Sequence, residues 1–357
     1  MTKQVFPNNI LPDNINALAA YSSAKSQKLT GSTWLNANES PYTKTFELSL
    51  SDLNRYPDPQ PENVINAYAQ YAGLGAEQVL MTRGADEGIE LLVRTYCASG
   101  KDSIALFMPT YGMYKVTADS HNVAINALTQ ELLLEGSVEQ IITAVGNSKL
   151  VFICNPNNPT GSLTPLNKIS AIANALENKA IVVVDEAYIE FCPQQTATTL
   201  LQEFANIVVL RTLSKAFALA GLRTGFMLAN TALLAPVRKV IAPYPVSRVV
   251  ATIAEQALQS DAITQMRRQV TILNRAKVIL MQWLESSPAV SKVLNGQGNF
   301  VTAQLKNKAD IDKAMKGGLI MRPFTLCEQD NWLRISIGNE QELEQVKLWL
   351  ETLGSKL

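Results

Sequence analysis

The chain has 357 residues, 47% of them apolar and 17% charged, and its thirty-one Lys and Arg balance thirty-one Asp and Glu. Zero net charge argues against nucleic-acid or polyanion binding, the apolar share excludes a disordered chain, and the length leaves room for roughly two domains of about 150 residues. Neither the roughly 18-residue apolar run of a membrane helix nor the apolar core of a signal peptide is visible, so a cytoplasmic-type protein with no membrane partner is expected.

The polar first forty residues carry Pro7 and Pro12 and are expected to form an N-terminal arm, 1–40, lying on a larger body. Helical periodicity over 61–73 stops at Gly73, with Pro61 suited to the first turn. Gly73-Leu74-Gly75 lacks the third glycine of a dinucleotide fingerprint and reads as a helix stop. An apolar run at 78–83 leads into a helix over 85–100. Short apolar runs with prominent β-branched residues follow at 103–109, 149–156, 180–188 and 206–214, with a helical stretch at 166–178. Such runs suit strands covered on both faces. Strand–helix–strand repetition predicts an α/β fold, a mainly parallel sheet flanked by helices, over 41–250. Beyond 250 come long helices at 251–259 and 271–286, strands at 299–305 and 333–338, and a helix at 341–353. These predict a smaller α+β C-terminal domain, 251–357.

Several chemistries fall away. Cys97, Cys154, Cys192 and Cys327 form no C-x-x-C pair, and His121 is the single histidine. A zinc site lacks ligands, so no metal is expected. The thiols read as structural, in a reducing compartment. His121 reads as a satisfied structural residue, and one histidine weakens any Ser-His-Asp triad. No P-loop pattern is present.

In open parallel sheets, ligands bind beyond the carboxyl ends of the strands. Four polar clusters stand at such ends: Asn158 within 155–161; Asp185, with Tyr188 three residues on; Ser214 and Lys215; and Gly84, Ala85 and Asp86, which begin a helix. Each alone reads as a turn, a cap or a solvated lysine. Together they should converge on one crevice. A lysine, an acid and phosphate donors suit a Schiff base with pyridoxal 5′-phosphate: the amine takes the aldehyde, the carboxylate keeps the pyridine nitrogen protonated, and a helix start with hydroxyls and an arginine takes the phosphate. Small residues at Gly84-Ala85, the Ser214 hydroxyl, Arg223 and the Tyr111 ring complete the set.

Ser214-Lys215-Ala216-Phe217 followed by Gly221-Leu222-Arg223-Thr224-Gly225 resembles the lysine segment of fold-type I, aspartate-aminotransferase-like enzymes; Asn158-Pro159-Thr160-Gly161 and Asp185-Glu186-Ala187-Tyr188 stand at that family's spacing. Residues 53–58, 83–87, 213–225, 241–245 and 333–336 are similar to the histidinol-phosphate aminotransferase family, so the resemblance spans almost the whole chain. It implies transamination between L-histidinol phosphate and 2-oxoglutarate or glutamate in histidine biosynthesis. Lys215 would hold the cofactor covalently and move the proton at the substrate's Cα. Asp185 would pair with the ring nitrogen, Asn158 and Tyr188 with its phenolic oxygen, and Tyr111 would stack on the ring. Ala85, Asp86, Ser214 and Arg223 would surround the phosphate, Asp86 through its backbone rather than its charge. Tyr56 would reach the neighbouring subunit's cofactor phosphate, which implies a homodimer. Arg334 and Arg322 would hold the anionic end of the substrate, their planar forks matching carboxylate and phosphate, and Tyr21 would help close over it. Residues 36–42 and Arg248-Val249 depart from the family's usual pattern; they are expected to bear on substrate preference and to lie outside the cofactor set. An aromatic-amino-acid aminotransferase or a related amino-acid phosphate decarboxylase is the alternative. A DNA-binding regulator on the same body is disfavoured by the neutral charge and the short segment ahead of residue 40.

Overall fold

In the computed structural model, which describes residues 10–19 and 29–354, the apolar runs become neighbouring strands of one seven-stranded sheet. In chain order the elements are α1 (Asp13–Asn16), β1 (Thr33–Trp34), α2 (Glu62–Ala72), β2 (Val79–Thr82), α3 (Ala85–Tyr96), β3 (Ser103–Met108), α4 (Met113–Ser120), β4 (Ala124–Thr129), α5 (Gln130–Glu135), α6 (Val138–Val145), β5 (Leu150–Cys154), α7 (Leu166–Ala175), β6 (Ile181–Asp185), β7 (Ile207–Thr212) and β8 (Gly225–Ala229). The second part follows as α8 (Thr231–Val240), α9 (Arg248–Ala257), α10 (Ser260–Ser286), β9 (Val290–Leu294), β10 (Phe300–Leu305), α11 (Lys308–Lys316), β11 (Leu319–Ile320), β12 (Arg322–Leu326), β13 (Gln329–Ser336) and α12 (Glu340–Gly354).

The large sheet has the order β2-β8-β7-β6-β5-β3-β4. The pairs from β7 through β4 are parallel, whereas β8 is antiparallel to both β7 and β2. One inverted strand therefore leaves β2 running in the same sense as β7. Its carboxyl end reaches the same rim of the sheet as those of β5, β6 and β7. The continuous apolar runs follow from burial on both faces: in β5, Val151 and Ile153 pack into one core, and Leu150, Phe152 and Cys154 into the other. Local signals set the ends. Gly73 closes α2 in the left-handed conformation at φ 71°, and Leu74 donates to the Ala69 carbonyl at 2.9 Å.

A separate antiparallel sheet, order β12-β13-β10-β9, forms the C-terminal part. Residues 33–38, expected in the arm, pack beside it: β1 pairs in parallel with β11 as a separate two-stranded sheet, and the Ser336 N–H donates to the Leu35 carbonyl at 2.9 Å. The helix expected over 251–259 starts earlier, because Ser247 caps α9, and the stretch 271–286 is the second half of the 27-residue α10. The helix expected to 100 ends at Tyr96, where Cys97 turns extended. Among the described residues, no helix is long and apolar enough to cross a membrane. His121 has the structural surroundings expected of it: its Nδ1 lies 2.9 Å from the Thr117 carbonyl.

Candidate active site

The rim where β2, β5, β6 and β7 end borders a cavity of about 620 Å³. Ala85, Asp86, Tyr111, Asn158, Asp185, Tyr188, Ser214, Lys215, Arg223, Arg322 and Arg334 line it, so eleven of the fourteen residues singled out from the sequence meet in one place. Gly84 lies just behind it. Tyr56 does not line it: that ring is 79% exposed and stacks on Tyr244 at 4.5 Å. Tyr21 lies outside the described residues.

One end of the cavity is shaped for an anion. Gly84 caps α3 at φ 86°, a conformation that favours glycine, and a Cβ there would stand 2.9 Å from the Arg223 guanidinium. Gly225 is as constrained, since its Cβ would meet backbone atoms of Gly84 and Ala85 at 2.5 and 2.7 Å. Arg223 itself is left-handed at φ 56°, a strain of order 1–3 kcal/mol for a side-chain-bearing residue that places it between Ser214 and Asp86. Its Nη1 reaches the Ser214 hydroxyl at 3.5 Å and its Nη2 the Asp86 carboxylate at 3.2 Å. The Tyr111 hydroxyl donates to the same carboxylate at 3.0 Å. The Asp86 carboxylate thus faces the cavity paired with Arg223, where the sequence reading expects its backbone rather than its charge to matter. The physical reason is its place in the first turn of α3, beside Arg223, which stands just ahead of the inverted β8 at the same rim.

At the floor, Asp185 ends β6 and is 2% exposed. Burial pushes its carboxyl up to about 6, against hydrogen bonds from the Tyr114 hydroxyl at 2.6 Å and the Ala187 N–H at 3.1 Å. Lys215 donates to the Ala37 carbonyl at 2.8 Å. Burial, with help from Arg334, lowers its ammonium to about 8, so on the order of a tenth of it is the neutral, nucleophilic amine at neutral pH. Tyr188 accepts from Asn38 at 3.0 Å and Asn158 at 3.4 Å, and burial holds its phenol near 12, so it keeps a proton to donate. At the other end, β12 and β13 place Arg322 directly opposite Arg334. Like charges across a ladder repel, which suits a place that meets an anion. Arg334 also bonds Asn158 Oδ1 and the Asn36 carbonyl.

The segment 36–39 also reaches the cavity. Ala37 and Glu39 line the cavity, and Asn38, fully buried and left-handed at φ 51°, bonds Tyr188 and is held by Ser336 and Asn299. Of the two departing positions, Asn36 accepts from Arg334 through its carbonyl, while Asn38, which reaches the Tyr188 hydroxyl, is not a departure. Nothing local signals this, because β1–β11 pairing carries the segment there. Thr212 and Tyr114 were also missed. Thr212, two residues before Ser214, bonds the Ser214 hydroxyl at 2.8 Å and the Thr224 carbonyl at 3.0 Å. Tyr114, in α4, lies three residues beyond Tyr111 and donates to Asp185.

A profile described as aminotransferase class I and II matches residues 19–347. A histidinol-phosphate aminotransferase of Aeromonas salmonicida is 44% identical over 334 residues, 93% of this chain and 94% of that one; one of Shewanella amazonensis is 45% identical, over 95% and 92%. A crystal structure of histidinol-phosphate aminotransferase from Sinorhizobium meliloti in complex with pyridoxal-5′-phosphate superposes with a TM-score of 0.84 at 21% identity, covering 99% of both chains. An aspartate aminotransferase from Thermotoga maritima superposes at 0.79, covering 96% and 99%.

Proposed function

This chain belongs to the class I and II aminotransferases, within the histidinol-phosphate aminotransferase branch, and from that premise we propose that it exchanges an amino group between L-histidinol phosphate and 2-oxoglutarate. The products are imidazole-acetol phosphate and L-glutamate, and the cofactor is pyridoxal 5′-phosphate. The residues fit that cofactor: a cradle at Gly84 and Gly225 that a Cβ would fill, a lysine with lowered affinity for its proton, and a buried carboxylate face one cavity.

When bound, the cofactor supplies an aldehyde for amine capture and a ring that spreads the electron pair left on the substrate's Cα. The chain supplies the rest. The α3 N-terminus, Ser214 and Arg223 would hold the phosphate, with the backbone N–H groups of the helix start directed at its charge. Asp185 would hold a proton on the ring nitrogen. Asn158 and Tyr188 would orient the phenolic oxygen, and Tyr111 would cover the ring face. Lys215 Nζ, once displaced by the substrate amine, would take the Cα proton as a general base and return it one position away. Arg322 and Arg334 would hold the phosphate of one substrate or the distal carboxylate of the other, anions that their forks accept alike. This shared anion recognition suits a ping-pong exchange.

The observation that carries the reading is the single cavity that puts Lys215 and Asp185 between an anion cradle at α3 and a facing arginine pair on β12 and β13. A half-reaction tests it. Histidinol phosphate added without keto acid should convert bound aldehyde cofactor to its amine form, read by absorbance. Lys215→Ala should abolish both turnover and borohydride trapping of the cofactor. Normal turnover in that variant, or far better use of phenylalanine and tyrosine than of histidinol phosphate, overturns the assignment.

The same proposal includes a homodimer, in which the exposed Tyr56–Tyr244 stack approaches the neighbour's cofactor phosphate. It also includes a cytoplasmic location, and a division into arm, large domain (41–250) and small domain (251–357); the separate seven- and four-stranded sheets support the two domains.

A further inference from the structure

Asp185 must stay ionised in a place that works against charge. Side chains from each element packed on it surround the carboxyl. Tyr114 comes from α4, the Cys154 thiol from β5, Asp86 from α3, and Glu186 follows it in the chain; Lys215 lines the same cavity. The first two are neutral, since burial pushes the Cys154 thiol and the Tyr114 phenol well above their usual ranges, and the two acids are repulsive. Asp185 and Cys154 are register partners, on the face of the sheet that α4 covers.

Tyr114 is fixed before it makes any hydrogen bond. It is fully buried, its ring stacks on Phe152 with centroids 4.8 Å apart, and Tyr111 meets it edge-on at 5.6 Å and 87°. A phenol locked this way directs its proton at Asp185 Oδ2, while the Ala187 N–H takes Oδ1. We infer that Tyr114 is a positioning residue that serves both sides of the cofactor site: its hydroxyl holds Asp185 as an ionised, aimed acceptor, and its ring edge sets the cant of Tyr111. The inference rests on the pyridoxal phosphate reading. A hydrogen bond to the charged form of an acid favours that form, so deleting it raises the pH at which the acid takes up its proton.

The test uses the full-length apoprotein. Pyridoxal phosphate is titrated into wild type and Tyr114→Phe, a change that keeps the ring, across about pH 5 to 8, and affinity is read from the bound chromophore. Wild type should lose affinity as Asp185 protonates on the acid side. In Tyr114→Phe that acid limb should move up by about one pH unit, with affinity roughly tenfold lower between the two limbs. Turnover should fall through kcat more than KM. A packing role alone would leave the limb in place. A ring-fluorinated tyrosine installed at 114 keeps the fold and sharpens the donor, and should move the limb to lower pH. A limb that stays put in both variants overturns the inference and leaves the cofactor reading standing. Wild-type apoprotein that fails to take up the cofactor overturns both.

Discussion

Asp185 and Glu186 are neighbours in the chain and opposites in their surroundings. Both are buried at the end of β6, but successive residues of a strand face opposite sides of the sheet. On the back, Glu186 is saturated: Arg211 Nε lies at 2.8 Å, and the Thr196 hydroxyl and Ala197 N–H complete it. Glu190 shares the same guanidinium at 4.0 Å. On the front, Asp185 has neutral donors, Tyr114 and Ala187. A buried charge whose counter-ion comes from its own chain serves the structure. One given only neutral donors matches the proposed function, in which a cation arrives from outside.

That contrast can be broken. Arg211→Leu removes the counter-ion of two buried carboxylates and should lower the unfolding free energy by about 3–5 kcal/mol in urea denaturation. A loss under about 1 kcal/mol would mean the back cluster is not structural. Asp185→Asn should do the reverse. Turnover should drop roughly 10²–10³-fold, about 3–4 kcal/mol of barrier, while the apoprotein's denaturation midpoint holds or rises as the desolvation of a charge is relieved. Equal destabilisation in the two variants would erase the distinction.

The pH dependence of stability sharpens it. Burial pushes Glu190 up to about 7, against the pull of Arg211. The native state then keeps a proton that the unfolded chain has lost, so stability is full below the ordinary glutamate range. It should decline by on the order of 1–3 kcal/mol as pH rises from about 4.5 through 7. Glu190→Gln should flatten that decline. Asp185, raised to about 6, contributes with the same sign over a lower window, and that part should survive the substitution. An unchanged slope, measured by denaturant titration at several pH values, would clear Glu190 of the role. The smallest effect belongs to the rim. Asn38→Ala deletes one donor to Tyr188 and should change kcat/KM for histidinol phosphate by roughly five- to tenfold, about 1 kcal/mol. A silent variant would reduce the 36–39 segment to a cover.

The floor of the site was legible because its signals are local. Asn158, Asp185 and Lys215 each follow a continuous apolar run, and such a run reports a strand buried on both faces wherever it later pairs. Gly84-Ala85-Asp86 was legible as a helix start. The rim was less so. The Arg322–Arg334 pairing depends on the β12–β13 register, and β12 is only partly buried, with no run to announce it. Asn38 and Tyr114 were invisible as site residues: one sits in a polar stretch, and the other looks like any aromatic on an amphipathic helix.

From the sequence alone came the residue types and the ends of the strands that present them, because a covalent neighbour at a strand terminus is placed by the strand. Sheet order came from tertiary structure. The inversion of β8 between β2 and β7 turns Gly84 toward Arg223, and β1–β11 pairing draws 36–39 onto Tyr188. Which face of β6 would be structural and which chemical was decided there too. Asp185 and Glu186 are a pair of adjacent acids until Arg211 closes on one and Tyr114 on the other, and only long-range packing brings either partner.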